Sequence, residues 1–130
     1  MTFVSVTRLR LRSIRYLPEF IWRSQRAASQ ARKTPGNLGV QLRKTAGLTF
    51  WTLTLWKDSE SMVAFRGASP HRDAMAKLRH WCDEAGYAHW RQDKDVMPAW
   101  DEAVRHMRES GKFSQVLYPS DNHRAGRMSD

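Results

Sequence analysis

The nine residues Leu48-Thr49-Phe50-Trp51-Thr52-Leu53-Thr54-Leu55-Trp56 are dense in aromatic and β-branched side chains, and they carry bulk on both sides of a two-residue period. A strand with Trp51, Leu53 and Leu55 on one face and Phe50, Thr52, Thr54 and Trp56 on the other needs a cover on each face. That requirement excludes a domain whose sheet leaves one side in water. The segments around it supply candidates for the first cover. Thr2 to Leu11 alternates as a strand. Leu17, Phe20, Ile21, Ser24, Ala27, Ala28 and Ala31 then recur at three- and four-residue steps, which predicts a helix whose far end is small enough to approach a sheet closely. Pro18 belongs in its first turn, Arg32 and Lys33 suit the negative end of its dipole, and Pro35-Gly36 stops it.

Asn37 to Lys44 pairs with the aromatic strand through Thr45-Ala46-Gly47, a hairpin loop with glycine available for a left-handed position. Asp58 can cap a short helix through Phe65, closed by Gly67. Ser69-Pro70 opens another, with serine as cap and proline at the first helical position, and Ala74, Met75, Leu78, Trp81 and Cys82 form its apolar stripe. His71 lies at the N-terminal end of that stripe. Gly86 to Gln92 is the last strand, with Tyr87, His89 and Arg91 on one side and Ala88, Trp90 and Gln92 on the other. After Pro98, Trp100, Ala103, Val104 and Met107 mark an added amphipathic helix. This order predicts an α+β, ferredoxin-like βαββαβ protomer with a four-stranded antiparallel sheet and helices on one face. The second cover is then most simply the sheet of a second copy, which predicts a homodimer. Residues 1–118 form the domain, and 119–130 are a polar tail expected to be mobile.

Composition narrows the chemistry. With 130 residues there is room for one core. Cys82 is the single cysteine, so an internal disulfide and a multi-cysteine metal site are excluded. No apolar run approaches the length of a membrane span, and the arginine-laden start lacks a signal-peptide core, so a cytoplasmic protein is expected. The net charge of +9 resides in the first 44 residues, where ten lysines and arginines face one acid, Glu19. Such a half can attract polyanions. A solvated arginine surface accounts for it without a nucleic-acid partner, because no RNA-binding signature accompanies it.

The run Phe50 to Asp58, then Met62-Val63-Ala64-Phe65-Arg66, Pro70-His71-Arg72 and Leu78-Arg79-His80-Trp81, resembles a family of small bacterial proteins in the dimeric α/β-barrel superfamily, to which the antibiotic-biosynthesis monooxygenases also belong. The resemblance continues through Trp90, Pro98 and Glu102-Ala103 and covers about residues 3–116. It implies a ferredoxin-like protomer whose sheet faces that of its partner, leaving a cavity between sheet and helices or within the dimer barrel. Cofactor-free oxygenases, heme enzymes and members without known activity all occur in the superfamily. Fold resemblance therefore leaves the reaction, and whether there is one, open.

His71 and His89 are the candidate catalytic residues, as imidazoles able to take a proton from a bound substrate. Trp51 and Trp90 are the candidate walls for a flat apolar ligand, while Trp56 and Trp81 read as structural. His80 reads as solvated. No histidine pair has metal-site spacing, so no metal is expected. Cys82, beside Asp83 and Glu84, is not a reactive thiolate. No cofactor is expected, with heme on His71 as the alternative. The reading is thus a dimeric protein binding a small apolar or aromatic molecule, monooxygenase-like if it is an enzyme. The alternative is a non-enzymatic module that binds RNA or an acidic partner through Arg8, Arg10, Arg23, Arg26 and Arg43.

Overall fold

In the computed structural model, which describes residues 1–128, the first strand of the chain is the middle of the sheet. Strand β1 (Thr2–Leu11) is flanked on both sides by antiparallel neighbours, β3 (Thr49–Trp56) and β4 (Cys82–Gln92). Beyond β3 lies β2 (Asn37–Lys44), and beyond β4 lies β5 (Lys112–Phe113), giving the order β2-β3-β1-β4-β5. The helices are α1 (Leu17–Lys33), α2 (Ser59–Arg66), α3 (His71–Trp81), α4 (Trp100–Ser110) and α5 (Asp121–Arg124). The ferredoxin-like path is present, but the sheet has five strands rather than four. Two residues of β5, paired with Gly86 and Tyr87, are too few to show an alternation.

Several local expectations meet their structural counterparts. Gly47 takes φ 60° in the β2–β3 turn, and the Asp58 carboxylate accepts the Ser61 N–H at 2.8 Å as a helix cap. The start of α3 differs. Ser69 does not cap it and Pro70 occupies the cap position, so its first free N–H, that of His71, donates instead to Gln30 Oε1 of α1 at 2.8 Å. The Gln30 amide also donates to the carbonyls of Phe65 and Ala68, each at 3.2 Å. One side chain thereby ties the α2–α3 connection to α1.

The register sends alternate residues to opposite covers. Val4 and Val6 of β1, Trp51, Leu53 and Leu55 of β3, and Ala88 of β4 share a core with Ala103 and Met107 of α4. Val4, Val6 and Leu53 are completely buried there. Both faces of β3 are covered, as its composition demands, but the second cover is the chain's own α4 and not a second sheet. Helices consequently lie on both faces of the sheet. The exposed apolar face from which a homodimer was inferred does not exist among the described residues. Burial of each large apolar side chain on this face is worth about 1.5–3 kcal/mol, a gain that the chain obtains without a second copy.

The other departure is in β4, which begins at Cys82 and not at Gly86. Charged residues open it because they meet charges across the sheet. Arg8, 3% exposed, donates to the fully buried Glu84 at 2.9 Å, and Arg10 reaches Glu84 at 3.1 Å and Asp83 at 2.9 Å. Ser120 donates to the same Glu84 carboxylate at 2.8 Å and also caps α5. Residues 119–128, expected to be a mobile tail, thus return to the sheet, and Met128 packs on the α4 core. The last two tail positions, Ser129 and Asp130, lie outside the described residues. Removing one member of such a buried network costs about 3–5 kcal/mol, because the charges left behind are no longer compensated.

If α4 is an intrachain cover, Met107→Ala should lower stability by about 2–5 kcal/mol. The urea midpoint of both forms should then be independent of protein concentration. A midpoint that rises with concentration would restore the intermolecular seam.

Candidate functional site

Between the sheet and the layer of α1 and α3 lies a cavity of about 650 Å³. Its floor is made by the β positions that alternate with the α4-facing core. Register places His89, Ser5, Thr54 and Val40 in one row across four strands and Tyr87, Thr7, Thr52 and Leu42 in the next. All eight line the cavity. Ser24, Ala27, Ala28 and Ala31 of α1 form part of the roof. Short side chains above and below leave space where leucine or phenylalanine would have closed the layers to the density of a core. The far wall is Phe20, Leu78 and Trp81; Arg66, Arg72 and Arg79 are exposed and mark the rim.

His71 and His89 both line this cavity. The His71 ring lies 4.5 Å from that of Phe65, and its Nδ1 is 3.2 Å from the Arg66 carbonyl. A carbonyl only accepts, so Nδ1 carries the proton and Nε2 keeps its lone pair. Burial holds the His71 imidazole below its ordinary pKa, and the Arg66 charge adds to the effect, against the opposing pull of that hydrogen bond. His89 sits between Phe3 and Tyr87, with ring centroids at 5.5 and 5.2 Å. Burial lowers its pKa first, followed by the charges of Arg66 and Lys112. Both groups are neutral bases at pH 7.

Trp51 and Trp90, the other two site residues expected from sequence, point to the opposite face. Trp51 lies in the α4 core with its indole N–H donating to Thr45 Oγ1 at 3.2 Å, under the Arg8 guanidinium. Trp90 stacks on His106 of α4, 3.8 Å between centroids and 6° from parallel, with no protein acceptor for its buried indole N–H. Trp81, expected to be structural, is buried in a core with Leu11, Phe20 and Cys82 and also borders the cavity. Adjacent residues of a strand face opposite ways, so His89 and Trp90 cannot share one cavity on β4. The signal missed in the sequence was polar. Ser5, Thr7, Thr52 and Thr54 are hydroxyls on faces otherwise destined for burial.

Other candidate groups do not reach the cavity. Burial, with a contribution from Asp83, pushes the Cys82 thiol up to about 12. His80 is exposed, within hydrogen-bonding reach of Arg12 and Tyr16. Among the described residues no three His, Cys, Asp or Glu gather in a metal-binding group, and no helix is long and apolar enough to cross a membrane. The five arginines of the RNA-binding alternative do not form one patch. Arg8 and Arg10 are held in the Glu84 network, and Arg23 pairs with Glu19 at 2.8 Å. Arg26 lies over Trp22 on α1, whereas Arg43 lies over Trp100 on the α4 side.

Residues 6–115 match the domain of unknown function DUF3291. The chain belongs to the DUF3291 family. No curated protein matches the sequence. Among solved structures, this DUF3291 protein is similar to Rv0793 from Mycobacterium tuberculosis, at 10% identity and a TM-score of 0.65 over 72% of this chain and 97% of that one. It is also similar to SnoaB, a cofactor-independent oxygenase from Streptomyces nogalater, at 14% identity and a TM-score of 0.60 over 75% and 98% of the two chains. A candidate antibiotic biosynthesis monooxygenase from Nitrosomonas europaea gives 15% identity and 0.60 over 71% and 99%. Over about three quarters of the chain the fold is shared with these proteins, as the sequence resemblance implied. At these identities the likeness concerns the fold alone.

The histidine assignment makes a pH prediction. In NMR titrations, the His71 and His89 ring resonances should move with midpoints below the ordinary 6.5. The native state then binds fewer protons than the unfolded chain, so these two groups leave stability unaffected at neutral pH and reduce it as pH falls below that value. Midpoints at or above 6.5 would contradict the buried, cation-flanked setting of the two rings.

Proposed function

We propose that this DUF3291 protein binds a small apolar or aromatic molecule between sheet and helices, and that His71 and His89 serve it as neutral bases in a monooxygenase-like reaction. The observation that carries the reading is the convergence of two imidazoles of depressed pKa on one cavity of about 650 Å³ whose floor is hydroxyl-bearing and whose roof is apolar. A fold shared with a cofactor-independent oxygenase agrees with it.

The chemistry needs little else. A lone-pair imidazole takes a proton from an acidic methylene, and the resulting carbanion, delocalised into an aromatic ketone, is electron-rich enough to react with O2. Conversion of the methylene to a carbonyl uses one oxygen atom and releases the other as water. The substrate supplies all the electrons, and no cofactor is required. Hydroxyls of Ser5, Thr7 and Thr52 can donate to the developing enolate oxygen. Residues of β1, β2, β3, β4, α1, α2 and α3 of the chain together line the cavity. A homodimer, where formed, would use a surface other than the α4-covered face. Heme, the cofactor alternative, is tested by the spectrum of added hemin, which should be unchanged in His71→Ala.

Oxygen uptake with anthrone, a tricyclic ketone whose methylene is acidic, is the direct assay. The protein should raise uptake above the protein-free rate, and His71→Ala or His89→Ala should remove about 10²–10⁴-fold of the gain if that ring is the base. Uptake equal to the protein-free rate would reject the oxygenase reading. Failure of polycyclic probes to bind, whether neutral or as their acids, would reject the cavity as a ligand site.

A further inference from the structure

The charge around the cavity is one-sided. Among the described residues no aspartate or glutamate lines it, whereas four arginines do: Arg23, Arg66, Arg72 and Arg79. Arg23 is accounted for by Glu19, 2.8 Å away. The remaining three make no ion pair with any described carboxylate. Arg72 reaches only the Ser69 hydroxyl, at 3.5 Å. This contrasts with the α4 side of the same sheet, where Arg8 and Arg10 are matched by Asp83 and Glu84. Two guanidiniums on the α4 side are thus neutralised by acids, Arg43 there lies over Trp100 without an ion pair, and three at the cavity rim are left unmatched.

The unmatched charge acts inside the cavity. Arg66, at the end of α2, contributes to the lowered basicity of both His71 and His89, so its field spans the distance between them. Lys112 of β5 adds to it at His89. Beneath lie Ser5, Thr7 and Thr52, hydroxyls that can turn a proton toward a negative oxygen. A neutral ligand would gain nothing from these guanidiniums, whereas a carboxylate would supply the charge that the protein omits and could be held by two parallel N–H donors.

Resting on the reading of the cavity as a ligand site, we infer that its ligand is an apolar or aromatic acid, bound as the anion with its carboxylate toward the Arg66–Arg79 rim and its ring system under α1. The hydrocarbon body meets Ala27, Ala28 and Phe20. The acid group remains near the mouth, where the arginines are exposed and desolvation is small.

The test is isothermal titration of the full chain with 2-naphthoate and with its uncharged analogue 2-naphthamide. Naphthoate should bind at least about tenfold more tightly, and raised salt should shrink that ratio. In Arg66→Gln/Arg79→Gln the ratio should fall to near one with the amide affinity unchanged. These side chains are exposed, and far-UV circular dichroism verifies the fold. Arg26→Gln, on α1 outside the cavity, should behave as the unaltered chain. Equal affinity for acid and amide would overturn the inference while leaving the ligand cavity intact. A preference for the acid that survives the double substitution would overturn the assignment to this rim. Binding of neither compound would overturn the inference together with the cavity reading on which it rests.

Discussion

The structure depends on the double coverage of its central strands. Because β1 and β3 are paired in register over eight residues, Phe3↔Trp56 to Arg10↔Thr49, every residue has a face assigned to it by parity. One parity carries Val4, Val6, Trp51, Leu53 and Leu55, closed by α4, with Arg8 and Arg10 at its far end. The other contains Ser5, Thr7, Thr52 and Thr54 and is roofed by the alanine end of α1. A cavity arises on the second face for the same reason that a core arises on the first: side-chain volume decides whether two layers meet. A one-residue slip of either strand would exchange the two sets and eliminate both.

The α4 face is also where the fold is fastened. Glu84 accepts from Arg8, Arg10 and Ser120, so strands β1 and β4 and the chain's last helix converge on one buried carboxylate. This arrangement fixes β4 in register at its Cys82 end, close to the β-irregularity between Arg10 and Leu11. It leaves the cavity face free of acids. The difference in acid content between the two sides of the sheet is therefore structural in origin.

Much of this was legible in the sequence, and what was not has identifiable causes. The βαββαβ order, the Gly47 turn and the Asp58 cap followed from periodicity and local chemistry. His71 and His89 were found because imidazoles on apolar faces are conspicuous. Trp51 and Trp90 were misplaced because ring size was weighed above parity: Trp90 sits next to His89 and so must face away. The α4 cover was missed although Trp100, Ala103, Val104 and Met107 give it a clear apolar stripe. Periodicity shows that a helix has a face to bury and does not show which sheet surface receives it. The docked tail and the Asp83–Glu84 strand start depend on contacts 36 and 73 residues apart, which local pattern does not encode.

The central claim is that ligand enters between sheet and α1/α3, and not on the α4 side. Side-chain NMR with a polycyclic probe tests it most directly, since the indole N–H signals of Trp81, Trp51 and Trp90 report on the two sides independently. Trp81 should shift together with the His71 and His89 rings, while Trp51 and Trp90 stay in place. Shifts confined to Trp51 and Trp90 would contradict the account.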